Sequence, residues 1–169
     1  VTSVVVPPDA DPPLDEPELA DRLVHRGTEI GKARVLPLGA LTLGLNGERL
    51  AELAGLKKAG CVAFSQANRP VTDTEALLRA MEYAATFGFA IWLQPQDYWL
   101  SRNGIAHEGE VSSRLGLAGI PVAAETIAVG TIVQLVRDTG CRVHLTRLSS
   151  AAGVALTQRA QNEGLPITF

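Results

Sequence analysis

The sequence predicts an α/β fold, a (β/α)8 TIM barrel of which about six βα units lie within residues 1–169. Three observations predict it. A helical segment, a glycine and a short apolar strand recur in that order at Gly31, Gly60, Gly88, Gly140 and Gly164; glycine suits the left-handed turn that ends a helix. The strands are apolar almost throughout rather than alternating, so both faces are expected to be buried, as in a parallel sheet with crossover helices. No Gly-x-Gly-x-x-Gly follows any strand, which leaves the competing doubly wound, dinucleotide-binding fold without its signature.

Taken in order, Val1–Val6 is a β-branched strand stopped by Pro7 and Pro8, and a polar, proline-rich loop follows. Asp15, with Glu18 three residues on, is placed to cap a helix whose apolar face is Leu19, Leu23 and Ile30. Ala33–Leu38 reads as the next strand. Asn46 is expected to cap a helix with Leu50, Leu53 and Leu56 inward, and Cys61–Phe64 follows as a strand. Thr72 and Glu75 make a capping box for the helix Thr74–Phe87, and Phe89–Leu93 is the strand after it. Tyr98–Pro121 reads as an inserted loop with a short helix near Glu110–Leu117. The helix Glu125–Thr139, the strand Arg142–Thr146, a helix Ala151–Asn162 capped by Ser149 or Ser150, and the strand Pro166–Phe169 complete the chain. Strand-like residues at both ends lead us to expect a partial barrel domain over 1–169, with N-terminal and C-terminal portions outside it.

The charge balance narrows the partners. A net charge of -3 and a pI near 5.6 offer no electrostatic reason to expect nucleic acid or an anionic membrane. No apolar run has transmembrane length, and no basic segment followed by an apolar one opens the chain, so the expected compartment is the cytoplasm. Cys61 and Cys141 each begin an apolar strand without Cys-x-x-Cys spacing, and are expected to be reduced and buried.

In a barrel, chemistry sits at the C-terminal ends of the strands. Here those ends carry Asp9 and Asp11, then Ser65–Asn68, then Gln94, Gln96 and Asp97, then Arg147, Ser149 and Ser150. They are polar but poor in metal ligands: an amide is a weak neutral donor, and arginine does not coordinate a cation. The three histidines, His25, His107 and His144, form no His-x-His and no His-Glu-x-x-His. A Ser149–His144–Asp97 triad can be drawn on paper, but no nucleophile elbow supports it. Tyr98 and Trp99 open the insertion; the ordinary expectation is that both pack beneath it, and the alternative is an interface anchor.

Four stretches carry a resemblance to a known family. VTSVVVPPDADPPLDEP is similar to a strand and proline-rich loop of the form VVDMPNTNPP. LKKAGCVAFSQANRPVTD is similar to AGAVAFSDDG. AIWLQPQDYWLSRNGIAHEGEVSSRLGLAGIPVAAE is similar to a segment that begins H-x-E-D and continues through G…EG…S…LGL.GIP..AE. VHLTRLSSAAGV is similar to VH..HVS. Together they resemble the dihydroorotases of the amidohydrolase superfamily over essentially the whole chain, which implies an amidohydrolase-type barrel.

Active members of that family use zinc to generate the hydroxide that opens the dihydroorotate ring. This chain departs from their pattern at the positions the chemistry uses. Gln94 stands in place of the H-x-E-D histidine. Arg147 replaces the second histidine of VH..HVS, although His144 matches the first. Gln66 and Ala67 replace the aspartate pair of SDDG, and Asp9 replaces the asparagine of PNT, where a carboxylate would repel an anionic substrate. The resemblance therefore narrows to the inactive, dihydroorotase-like branch of pseudomonad-type bacteria. It implies no catalytic residue, no metal and no cofactor, with Asp9, Gln66, Gln94 and Arg147 as degenerate former-site positions. It further implies assembly with the aspartate carbamoyltransferase catalytic chain in pyrimidine synthesis, as a hetero-oligomer that also self-associates. The alternative is an active zinc-dependent dihydroorotase with ligands from segments outside the chain. Arg147 is further expected to supply the positive charge a metal would carry, held by Asp97 or Asp9.

Overall fold

The computed structural model describes all of residues 1–169. Six parallel strands form one sheet: β1 (Ser3–Val6), β2 (Arg34–Ala40), β3 (Ala63–Ser65), β4 (Ala90–Leu93), β7 (Arg142–Leu145) and β8 (Ile167–Thr168). Each strand pairs with the next strand of this sheet in chain order, β1-β2-β3-β4-β7-β8. A doubly wound sheet reverses direction at a switch point; this one never does, and so is part of a barrel wall. Two further strands, β5 (Ala106–His107) and β6 (Gly119–Ile120), make a separate parallel pair inside the expected insertion.

The crossover helices are α1 (Pro17–Ile30), α2 (Leu53–Lys58), α3 (Thr74–Thr86), α6 (Val122–Thr139) and α7 (Ala151–Asn162). The insertion holds α4 (Tyr98–Ser101) and α5 (Glu110–Arg114). The glycine stops form as expected. Gly31 and Gly140 adopt φ of 65° and 67°, and their N–H groups close the last turns on Gly27 and Val136. Gly60, Gly88 and Gly164 share the positive φ.

Several caps differ from expectation. Asp15 does not cap α1: Pro17 occupies the first turn, Glu16 holds the cap position without a side-chain bond, and the Asp15 carboxylate instead accepts from Gly44 N at 2.7 Å. Ile30 is exposed, and the inner face of α1 runs through Ala20 and Gly27. Asn46 starts no helix. Gly44 and Gly47 at positive φ break the chain into a 3-10 turn at Leu43–Leu45, and α2 waits until Leu53. Asp73, not Thr72, caps α3, accepting from Glu75 N at 2.9 Å and Ala76 N at 3.1 Å. α6 begins at Val122, one residue after Pro121. Ser150 is the cap of α7.

The core lies between the sheet and the helices, around Phe64, Leu56, Met81, Ile91, Val129 and Leu145. Cys61 and Cys141 belong to it as free thiols, and burial pushes each up to about 11. The expectation that both sheet faces are buried does not hold. On β4 and β7, Ile91, Leu93, Val143 and Leu145 face the helices and are buried, while Trp92 and His144 are half-buried and Arg142 is exposed. Six strands do not close, so the face turned away from the helices is open. No helix is long and apolar enough to cross a membrane.

Candidate functional site

Adjacent strands bring their C-terminal ends together. Ser65 pairs with Trp92, and Leu93 pairs with Leu145, so Gln66, Gln94 and the Thr146–Ser150 loop emerge side by side. Gln94 and Arg147 line one cavity of about 330 Å³, with Gln96, His107 and Glu125 among its other walls. Gln94 Nε2 donates to Gln96 Oε1 at 2.7 Å, and Gln94 Oε1 is buried without a partner. Gln66 is buried, and its Oε1 accepts from Thr42 Oγ1 at 3.0 Å, while Thr42 Oγ1 accepts from Gly47 N at 2.9 Å. That chain fixes the Gln66 amide and leaves its Nε2 unpartnered.

Arg147 sits at φ 59°, exposed at the rim of the cavity. The expected ion pair with Asp97 or Asp9 is not formed: the four salt bridges of the molecule involve Arg26, Arg79 and Arg137. Asp97 is committed to capping α4, accepting from Leu100 N at 2.9 Å, and Asp9 is exposed in the loop after β1. Of the four former-site positions, the structure joins Gln94 and Arg147 in one cavity and sets Gln66 on the neighbouring strand end. Asp9 stands apart from that cavity.

His144 points to the open face. Its Nδ1 lies 2.9 Å from Thr168 Oγ1, its ring is 4.7 Å from that of Trp92, and burial lowers its pKa. With His144 on Thr168, Asp97 on Leu100 and Ser149 on Glu125, the Ser149–His144–Asp97 triad is not assembled.

Glu125 escaped the sequence reading. It is buried at the start of α6 and takes four hydrogen bonds: from Ser149 N at 2.7 Å and Oγ at 2.8 Å, and from Ser150 N at 3.0 Å and Oγ at 2.5 Å. Burial pushes its carboxyl up, but the bonds from Ser150 and Ser149 outweigh that and leave it below the ordinary value. The signals available were a carboxylate in the first turn of α6 and the closing glutamate of the GIP..AE match. Tyr98 and Trp99 do not pack beneath the insertion; they are 41% and 65% exposed.

A family model described as Dihydro-orotase-like matches residues 1–152. The chain belongs to the dihydroorotase-like family. Over 167 residues it is 46% identical to the Dihydroorotase-like protein of Pseudomonas aeruginosa, covering 99% of this chain and 40% of that one. It is 44% identical to the Dihydroorotase-like protein of Pseudomonas putida, with the same shares covered. Identity to the Dihydroorotase of Anaeromyxobacter sp. (strain K) is 40%, over 99% of this chain and 39% of that one. The chain thus spans about two fifths of the length of these relatives. L-Hydantoinase (Dihydropyrimidinase) from Arthrobacter aurescens superposes with a TM-score of 0.74 at 19% identity, over 99% of this chain and 38% of the hydantoinase, so the two share a fold.

Proposed function

We propose that this chain belongs to a non-catalytic dihydroorotase-like subunit that assembles with and supports aspartate carbamoyltransferase in pyrimidine synthesis. The observation that carries the reading is the convergence of Gln94 and Arg147 on one cavity, because those positions match two metal-ligand histidines of the active family. The donors present do not fit zinc. Gln94 offers a neutral amide, Gln66 Oε1 is taken by Thr42, and Arg147 brings a fixed positive charge to the cavity rim. A dication beside a guanidinium gains nothing from Coulomb attraction, and amide oxygens are poor substitutes for imidazole or carboxylate. The greater identity to the two Pseudomonas Dihydroorotase-like proteins than to the Anaeromyxobacter Dihydroorotase points the same way.

A second reading, a working zinc-dependent dihydroorotase with ligands from outside residues 1–169, draws on the 40% identity to that Anaeromyxobacter protein. Metal analysis and a dihydroorotate hydrolysis assay on the full-length protein separate the two. We expect substoichiometric zinc, no turnover and co-purification with aspartate carbamoyltransferase. Stoichiometric zinc together with turnover would sink the leading reading in favour of the second.

A further inference from the structure

The cavity of about 330 Å³ that Gln94 and Arg147 share is walled by four separate pieces of chain: the loop after β4, the β5–β6 pair, the start of α6 and the loop after β7. That volume lies at the small end of ligand pockets, roughly 300–1,000 Å³. The polar groups on its wall divide into two sets. Glu125 is saturated, because its carboxylate already takes four hydrogen bonds from Ser149 and Ser150. Three other side chains hold donors that nothing accepts from. Gln96 spends its Oε1 on Gln94 and keeps its Nε2 free, and His107 makes no side-chain hydrogen bond. Arg147 belongs to none of the four salt bridges, and its guanidinium donates to no acceptor of the protein. That arginine is nevertheless held in place. Its φ of 59° is left-handed, a conformation in which a residue with a Cβ stays only when its surroundings fix it. Those surroundings include the Glu125 clamp, which pins Ser149 and Ser150 just beyond it.

The formal charges of Arg147 and Glu125 cancel on this wall, so net charge does not select the ligand; hydrogen-bonding capacity does. With the carboxylate saturated, the free polar groups are donors, and what complements them is a set of acceptor oxygens. A guanidinium presents paired N–H groups in one plane, spaced to meet two oxygens of a carboxylate or a phosphate. The residues that suit a dication badly therefore suit an oxyanion well. We infer that this cavity binds a small molecule through an oxyanion group, a carboxylate or a phosphate, seated on the Arg147 fork with Gln96 and His107 beside it. This rests on the reading of the site proposed above, in which no zinc occupies it.

The test is calorimetric titration of the full-length protein with inorganic phosphate and, separately, with succinate, using acetamide as a neutral probe. Saturable binding of at least one anion and none of acetamide is expected, and the tighter anion names the class of ligand. Arg147→Met is expected to weaken binding at least about tenfold. Arg147→Lys keeps the charge but loses the fork, and is expected to restore only part of the affinity. Arg147 is exposed, so both variants are expected to melt with the wild type. Gln96→Leu is expected to weaken binding less than Arg147→Met, and Arg69→Met, outside this cavity, to leave it unchanged. Full affinity in Arg147→Met, or acetamide binding as tightly as the anions, would overturn the assignment. Absence of saturable anion binding in a protein free of zinc would overturn it too, and would leave the non-catalytic reading standing. Stoichiometric zinc with turnover would overturn both.

Discussion

A single carboxylate ties α6 to the loop that carries Arg147. Glu125 saturates both oxygens with the four donors of Ser149 and Ser150, and Ser150 Oγ in turn accepts from Gly153 N to start α7. Gly153 is required there, because a Cβ would lie 2.2 Å from Glu125 Oε1. Glu125→Ala leaves buried donors unpaired and is expected to cost about 2–4 kcal/mol in urea denaturation of the full-length protein. The clamp also sets an acid response. Its folded pKa lies below the ordinary 4.5, so its stabilisation is complete above that value and is lost as pH falls through the lowered one. Stability measured from pH 6 down to pH 3 is expected to fall more steeply in the wild type than in Glu125→Gln. The sequence pointed to Ser149 and Ser150 as caps, since capping is a local rule. It placed Glu125 at the start of a helix but gave it no bonding role, because its partners lie 24 and 25 residues away.

Among the elements, glycine was the most legible signal. Gly140 ends α6 at positive φ with open space around a notional Cβ, so Gly140→Ala isolates the backbone cost of a left-handed turn. We expect a loss of about 1 kcal/mol. Gly130, exposed in the middle of the same helix and equally unobstructed, is the converse; Gly130→Ala is expected to stabilise by about 0.5–1 kcal/mol. Paired thermal melts of the two variants check both signs. Caps were less legible, because several polar residues compete near each helix start. Asp73 displaced Thr72, and Asp15 found a backbone N–H on the neighbouring loop. The direction of α4 was the least legible element feature, since four residues carry no usable periodicity and the packing of α6 decides which side faces in.

Across the whole molecule, the two thiols report on the core. Cys61 and Cys141 are almost wholly buried, and with burial raising both to about 11 they offer little thiolate near neutrality. In the full-length protein their reaction with a disulfide reagent at pH 8 is expected to track global unfolding and to quicken sharply at the denaturation midpoint; rapid labelling of the native state would refute their place in the core. The parallel sheet in simple chain order, the helix stops, the reduced cysteines and the positions of Gln66, Gln94 and Arg147 at strand ends could all be read from the chain, because each follows from local periodicity, backbone conformation or motif spacing. The convergence of Gln94 and Arg147 on one cavity, the absence of a carboxylate on Arg147, the Glu125 clamp and the outward aromatics of α4 could not. Each depends on which residues, far apart in the chain, compete for the same donor, acceptor or volume, and only the packed molecule settles that competition.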